Sequence, residues 1–256
     1  MELEADDTFG VLYQRNVPNN AGEFQYVAFV DCRGDKKFKR FFTRWHEIAH
    51  CLTAYEQFEF PFKRTNAADI QKDPTEKMMD MIAGDLGFLE PLFRPVLHGE
   101  LGKRKLTFDT VESVRGRFCP DASFQATLNA CVTHAPRAII LIEAGLGFKQ
   151  SQKRELQDAQ LQLIPKRAPK PCLRVLRSMS NGVARKTGLL VHKNWRVPSH
   201  SVIAKVFNSD VEADAESVEN LGAWKSSGGS SLKYVNVLIQ VRKIQGRVFA
   251  IISLAE

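Results

Sequence analysis

The chain has 256 residues, of which 44% are hydrophobic and 25% charged, and this is enough apolar material for one large domain or two small ones. No run of eighteen apolar residues occurs, so no membrane span is expected. Four acids among the first seven residues do not suit a secretory signal, and the five scattered cysteines contain no CxxC pair. We therefore expect a cytoplasmic protein whose cysteines are reduced core residues.

The formal net charge of +7 is unevenly distributed. Residues 1–169 contain 23 Lys and Arg against 23 Asp and Glu, whereas residues 170–256 contain 13 against 6. A basic C-terminal part can contact nucleic acid or an acidic protein, or it can simply be a solvated surface. The sequence leaves both interpretations open.

The first predicted elements are two short strands followed by a helix. Residues 24–30 alternate and are rich in β-branched and aromatic residues, a turn follows at Gly34 and Asp35, and residues 38–43 continue the strand pattern. Thr43 is suited to cap a helix over residues 44–55, which has apolar residues on one side. A polar connection follows.

A second helix is predicted from Asp73, because an N-cap acid, Pro74 and Glu76 form a strong start signal. We expect this helix to run through Leu89, and Pro91 and Pro95 to end it.

The middle of the chain has a helix-turn-helix outline within residues 108–132, formed by helices over 111–118 and 123–132. A buried strand over 138–142 and a charged helix over 150–164 follow. Residues 166–171 are basic and rich in proline, and we place a domain boundary there.

Beyond this boundary the pattern changes to a period of two, and strands are predicted at 173–176, 188–192, 201–207, 234–242 and 248–254. The predicted fold class is α+β, with an N-terminal domain over 1–168 and a smaller, basic, β-rich regulatory or docking domain over 169–256.

The chemistry is concentrated in the pentapeptide His46-Glu47-Ile48-Ala49-His50, an H-E-x-x-H motif on a predicted helix. Residues four apart share a helix face, with Cβ atoms about 5–6 Å apart, so the two imidazoles can bind one Zn²⁺. Glu47 is rotated by about 100° toward the same cleft, where its carboxylate can accept a proton from water. The motif indicates zinc-dependent hydrolysis.

A catalytic zinc needs a third protein ligand. Glu76 on the second helix is the better candidate, and Asp80 four residues later can accept the free N–H of a ligand histidine. The alternatives are that Glu76 only completes a capping box with Asp73, and that Glu56 is the third ligand. Ala83, Gly84 and Gly87 are small residues that would let this helix pack closely against the first.

The residues resemble the ImmA/IrrE metallopeptidases over roughly residues 8–145. Residues 41–50 read FFTRWHEIAH and residues 76–91 read EKMMDMIAGDLGFLEP, similar to that family's HExxH helix and its following E-x-x-A-[ND] helix. Met79 replaces the family's usual Ala, and Pro91 comes two residues late. The resemblance implies a zincin-like domain in which His46, His50 and Glu76 bind zinc, Glu47 is the general base and Asp80 takes the Asn/Asp position.

The resemblance also implies an endopeptidase that cleaves a helix-turn-helix repressor in a stress or mobile-element response. An extended substrate is expected to add to an edge strand, for which residues 24–30 are the candidate. His98 is a candidate oxyanion donor, as are Tyr55 and Arg94. The alternative is a regulator that binds DNA or protein without catalysis, with a structural or vestigial zinc site.

Overall fold

The structure is a computed structural model. It describes residues 8–14, 20, 26–34, 39–53, 62–65, 74–102, 104–149, 151–152, 170–209, 214–226 and 228–255. These residues fall into two compact units, one within 1–103 and 109–130, the other within 104–108 and 131–256. The protein is a mixed α+β structure with two antiparallel sheets, as the sequence predicted at this level.

The first sheet has three strands, β1 (Thr8–Gln14), β2 (Tyr26–Val30) and β3 (Phe62–Thr65), in the order β2-β1-β3. Both pairs are antiparallel, with Leu12 of β1 opposite Ala28 of β2. The prediction of a strand at 24–30 is confirmed for β2, which lies at an edge of this sheet. The sequence did not reveal β1 and β3.

Five helices occupy the next part of the chain in sequence order. They are α1 (Arg40–Thr53), α2 (Pro74–Gly87), α3 (Glu90–Leu101), α4 (Phe108–Phe118) and α5 (Phe124–His134). The last two confirm the predicted helix pair. α1 packs against β1, β2 and α2.

Three local predictions in this region were wrong. Residues 40–43, which were expected to continue the strand pattern, are helical. α1 begins at Arg40, so Thr43 is a buried residue within the first turns of the helix and does not cap it. α2 ends at Gly87, before Pro91, as expected, but Pro95 ends no helix, because Pro91 lies in the first turn of α3 and Pro95 lies inside it. Proline is tolerated in a first helical turn, where its missing N–H is not needed.

The second sheet contains β4 (Ile139–Gly147), β5 (Cys172–Ser180), β6 (Asp214–Asn220), β7 (Asn236–Ile244) and β8 (Arg247–Leu254). The strand order is β5-β4-β8-β7-β6, with all pairs antiparallel. Two short helices, α6 (Gly182–Thr187) and α7 (Val202–Phe207), belong to the same unit. Its core contains Ile140, Ile142, Trp224, Ile239 and Ile252, all fully buried.

The C-terminal part is β-rich as predicted, but not every strand was placed correctly. Residues 202–207 form α7 because Ser201 caps a helix there, accepting the N–H of Ile203. Residues 188–192 form no strand, and the polar strand β6 was not predicted.

The domain boundary predicted at residue 168 must be moved. β4 lies between β5 and β8, and these backbone hydrogen bonds place it in the second unit although it precedes the proline-rich joint. The compact units divide at residues 130 and 131. Residues 153–169, which include most of the predicted helix 150–164 and of the joint, lie outside the described residues.

All five cysteines are free, as predicted, but only Cys119 and Cys131 are buried, and Cys32 is exposed. Among the residues described by the structure, no helix is long and apolar enough to cross a bilayer.

Candidate metal centre

α1 places both motif histidines and the acid between them in the interior of the first unit. His46 and Glu47 are each 1% exposed and His50 is 2% exposed, which is exceptional for titratable groups. One turn of helix separates the two histidines, and their rings meet edge to face with centroids 4.8 Å apart. The two Nε2 atoms lie 3.1 Å from each other.

α2 brings a carboxylate to the same point. Glu76 Oε2 lies 3.2 Å from His46 Nε2, and Glu76 Oε1 lies 3.5 Å from His50 Nε2. The three residues predicted as ligands are therefore together, although 26 positions separate His50 from Glu76 in the chain. The alternative that Glu76 only completes a cap involves Asp73, and Asp73 lies outside the described residues.

The three groups form a possible metal-binding site, because one ligand atom from each lies within 4.8 Å of the other two. A tetrahedral ion with bonds of about 2.0–2.1 Å separates its ligand atoms by about 3.3–3.4 Å. The two Nε2 atoms, 3.1 Å apart, are close to that value, and each of them lies near a different oxygen of Glu76, at 3.2 Å for His46 and 3.5 Å for His50. Two imidazoles and a carboxylate are also a ligand set that zinc accepts, so the residues fit such an ion.

Asp80 lies beside the first histidine. Its Oδ1 lies 3.1 Å from His46 Nδ1, on the opposite side of the ring from the atom that faces His50 and Glu76. An N–H at Nδ1 donated to this carboxylate leaves the lone pair of Nε2 directed at the candidate metal position. The sequence-based expectation for Asp80 agrees with this distance.

The electrostatics of Glu76 suit a ligand. A hydrogen bond from His46, and a weaker contribution from His50, hold the pKa of this carboxyl well below its ordinary value of 4.5. Burial raises the pKa but offsets this lowering only in part. Glu76 is thus ionised at neutral pH, as a metal-binding carboxylate must be.

Glu47 points toward β1, where the absence of a side chain makes room for it. A Cβ atom at Gly10 would lie 2.6 Å from Glu47 Oε1 and 2.7 Å from Thr43 Cγ2, closer than atoms in ordinary contact. Gly10 is therefore part of the wall around this carboxylate. Sequence reasoning missed it, because β1 gave no clear strand pattern and the glycine lies 37 positions from Glu47.

The two helices that carry the site approach closely. A Cβ atom at Gly87 would lie 2.9 Å from Trp45 Cδ1 and 3.0 Å from Phe41 Cε1, and Ala83 is fully buried. These two small residues act as the sequence predicted. Gly84 does not, since a Cβ atom there would have no neighbour within 4 Å.

The other predicted site residues that the structure describes are not part of this cluster. His98 is exposed on α3, and Arg94 pairs with Glu90 on the same helix. Tyr55 and Glu56 lie outside the described residues. Cys51 follows His50 directly, but burial and the nearby Glu47 charge raise the pKa of its thiol, which keeps it neutral.

No model of a known protein family matches the chain, and a search of curated proteins found no match either.

Proposed function

We propose that this protein is a zinc-dependent endopeptidase with a zincin-like first unit. One observation carries the proposal, which is the convergence of ligand atoms from His46, His50 and Glu76 within 4.8 Å of one another, with the acid Glu47 buried beside them. Catalytic zinc sites commonly use two histidines and one glutamate and keep a fourth position open.

The metal assignment follows from the donor types. Two imidazoles favour a transition metal over Mg²⁺ or Ca²⁺, which prefer oxygen ligands, and no thiolate is present to favour a closed structural site. His46, His50 and Glu76 would hold the ion. A bound zinc supplies Lewis-acid polarisation of a carbonyl and lowers the pKa of water toward 7.

The protein's own residues provide the rest of the chemistry. Glu47 acts as general base, taking a proton from the attacking water at its carboxylate and delivering it to the leaving amine. Its burial at 1% exposure strengthens its electrostatic influence on the reacting atoms. Asp80 keeps His46 in the tautomer that binds metal through Nε2.

The substrate is proposed to bind as an added strand. β2 lies at an edge of the three-stranded sheet and packs against α1, which carries the site. An extended segment can pair with such an edge through backbone hydrogen bonds, as we expected from residues 24–30. Backbone N–H and C=O groups on the open side of β2 would provide affinity. Phe29, which is 43% exposed, offers an apolar contact.

The resemblance to the ImmA/IrrE metallopeptidases supports one substrate class. On that basis we propose a cytoplasmic enzyme that cleaves a helix-turn-helix repressor and so controls a stress or mobile-element response. A non-catalytic regulator with a structural zinc would have no need of a buried acid next to its first ligand, and Glu47 therefore favours the enzyme.

The proposal is tested by zinc content and by cleavage, with wild type, Glu47→Gln and the control Glu90→Gln. Glu90 is an exposed acid on α3, so its variant matches the chemical change without touching the site. Cleavage is followed by mass spectrometry of new N-termini in a peptide mixture and in a helix-turn-helix repressor.

We expect one zinc per chain in all three proteins and cleavage by wild type and Glu90→Gln alone. A wild type that binds no zinc would refute the metal centre. Equal cleavage by Glu47→Gln would remove that residue from its role, and zinc binding without any cleavage would favour the non-catalytic regulator.

A further inference from the structure

The second unit contains a row of basic residues on neighbouring backbone segments. Isolated antiparallel bridges join Arg174 to Arg196, Arg196 to Lys225, and Lys225 to Ser231. Residues paired in this way lie side by side on one face, with segments about 4.8 Å apart. We call Arg174, Arg196 and Lys225 the basic row.

Backbone hydrogen bonds define how closely the first pair approaches. Val175 N–H donates to Trp195 O and Val197 N–H donates to Leu173 O, so these bonds flank the Arg174 and Arg196 pair without joining it. Such non-hydrogen-bonded pairs have the shortest Cα separation, about 4.5 Å. The Cα atoms of Arg174 and Arg196, which carry the two guanidinium groups, are therefore at the shortest separation found between paired residues of a sheet.

The row lies on the face away from the hydrophobic core. Val175, Val197 and Trp224 each adjoin a member of the row, and all three belong to the core. Since successive residues of extended chain point to opposite faces, the cations point away from the core. Arg196 and Lys225 are exposed there.

Arg174 is different, because it is only 3% exposed. Its Nη1 donates to Asn194 O, but its Nε is buried and has no hydrogen-bond partner. A buried guanidinium with an unused donor normally requires an anion. Among the described residues, no carboxylate pairs with any member of the row.

The two segments that supply the row have charge of one sign. Residues 170–209 contain eight Lys and Arg and no Asp or Glu, and residues 220–255 contain five Lys and Arg and again no acid, whereas the five acids of this part of the chain before Glu256 lie together in residues 210–219. Like charges on adjacent segments destabilise a sheet, so an arrangement of this kind is best explained by an external anion.

We propose that the basic row binds the phosphates of a nucleic acid backbone. The fork of Arg196 matches phosphate oxygens, and the exposed Arg196 and Lys225 provide adjacent contacts on an open surface rather than one enclosed pocket for a small ion. The buried Arg174 adds positive potential beside them. This binding is independent of the metal centre, and it assigns specific residues to the basic excess of the C-terminal part.

The test measures DNA binding by the full chain, using the fluorescence anisotropy of a labelled 20-base-pair duplex of mixed sequence between 50 and 200 mM salt. The variant Arg196→Gln/Lys225→Gln is compared with Arg185→Gln/Lys186→Gln, which removes the same charge from exposed positions on α6. Circular dichroism checks that each variant folds, and Lys225→Gln alone replaces the double variant if that protein unfolds.

We expect wild-type binding to weaken with salt, and the row variant to lose about 1.8 from the slope of log K against log salt. That loss corresponds to about 60-fold weaker binding at 0.1 M salt, and about half the slope change is expected for Lys225→Gln alone. The α6 variant should keep the wild-type slope.

Three results would overturn the proposal: no binding by wild type, equal losses in the two double variants, or row-dependent binding of polyglutamate as tight as that of DNA. The last result would identify an acidic protein as the partner.

Discussion

Replacing Gly10 with alanine tests whether the position of the Glu47 carboxylate governs the proposed hydrolysis. The new Cβ would lie 2.6 Å from Glu47 Oε1, whereas ordinary contact begins at 3.4 Å, so the carboxylate must retreat by about 0.8 Å or β1 must move. Thr43 cannot relieve the crowding, because it is a buried, β-branched residue in a helix with its Cγ2 at 2.7 Å.

A displacement of about 1 Å at a reacting group costs about 100-fold in rate, and we expect Gly10→Ala to lower kcat by about that factor. Overpacking should also reduce the free energy of unfolding by about 1–3 kcal/mol. Zinc content should not change, because the substitution touches no proposed ligand. A general structural defect would lower zinc content and turnover together, so retained zinc with lost turnover is specific to the position of Glu47.

Gly84→Ala is the matched control, since a Cβ atom there meets nothing within 4 Å. It should leave cleavage unchanged and stabilise α2 by up to about 1 kcal/mol. Cleavage is measured through new N-termini, zinc by elemental analysis and stability by urea unfolding. Full-rate cleavage by folded Gly10→Ala would refute the reasoning, and loss of zinc would place the defect at the ligands.

Three other perturbations address the metal centre and its support. Asp80→Asn should weaken zinc binding about 10- to 100-fold in competition with a chromophoric chelator, because His46 loses its orienting carboxylate, and unchanged affinity would exclude that role. Gly87→Ala should lower the free energy of unfolding by about 1–3 kcal/mol, since its Cβ would lie 2.9 Å from Trp45 Cδ1; stability equal to that of Gly84→Ala would contradict the close helix contact. Zinc at 1,000 times its Kd should stabilise the wild type by about 4 kcal/mol relative to the chelated protein, and thermal unfolding of Glu76→Gln should show a clearly smaller difference.

The site was largely predictable because its chemistry is local. His46 and His50 are four residues apart, and a helix alone brings them to one face. Glu76 was found by its helix start signal and by the small residues Ala83 and Gly87, which indicated that α2 packs closely against α1.

The parts that sequence reasoning missed depend on contacts between distant segments. The space for Glu47 is provided by Gly10, and a glycine in a weakly patterned strand gives no signal of what approaches it. The burial of Arg174 was equally invisible, since its neighbours in the basic row come from positions 196 and 225.

The amino-acid composition and charge indicated a folded chain with a basic C-terminal third. The short-range patterns predicted α1, α2, the helix pair and several strands. These features depend on periodicity and capping, which act over a few residues. Tertiary structure decided the domain boundary, because β4 takes its hydrogen bonds from β5 and β8 and not from the segment it follows. Tertiary structure also decided which charges lie beside one another. It placed the candidate metal centre in the first unit and the basic row in the second unit.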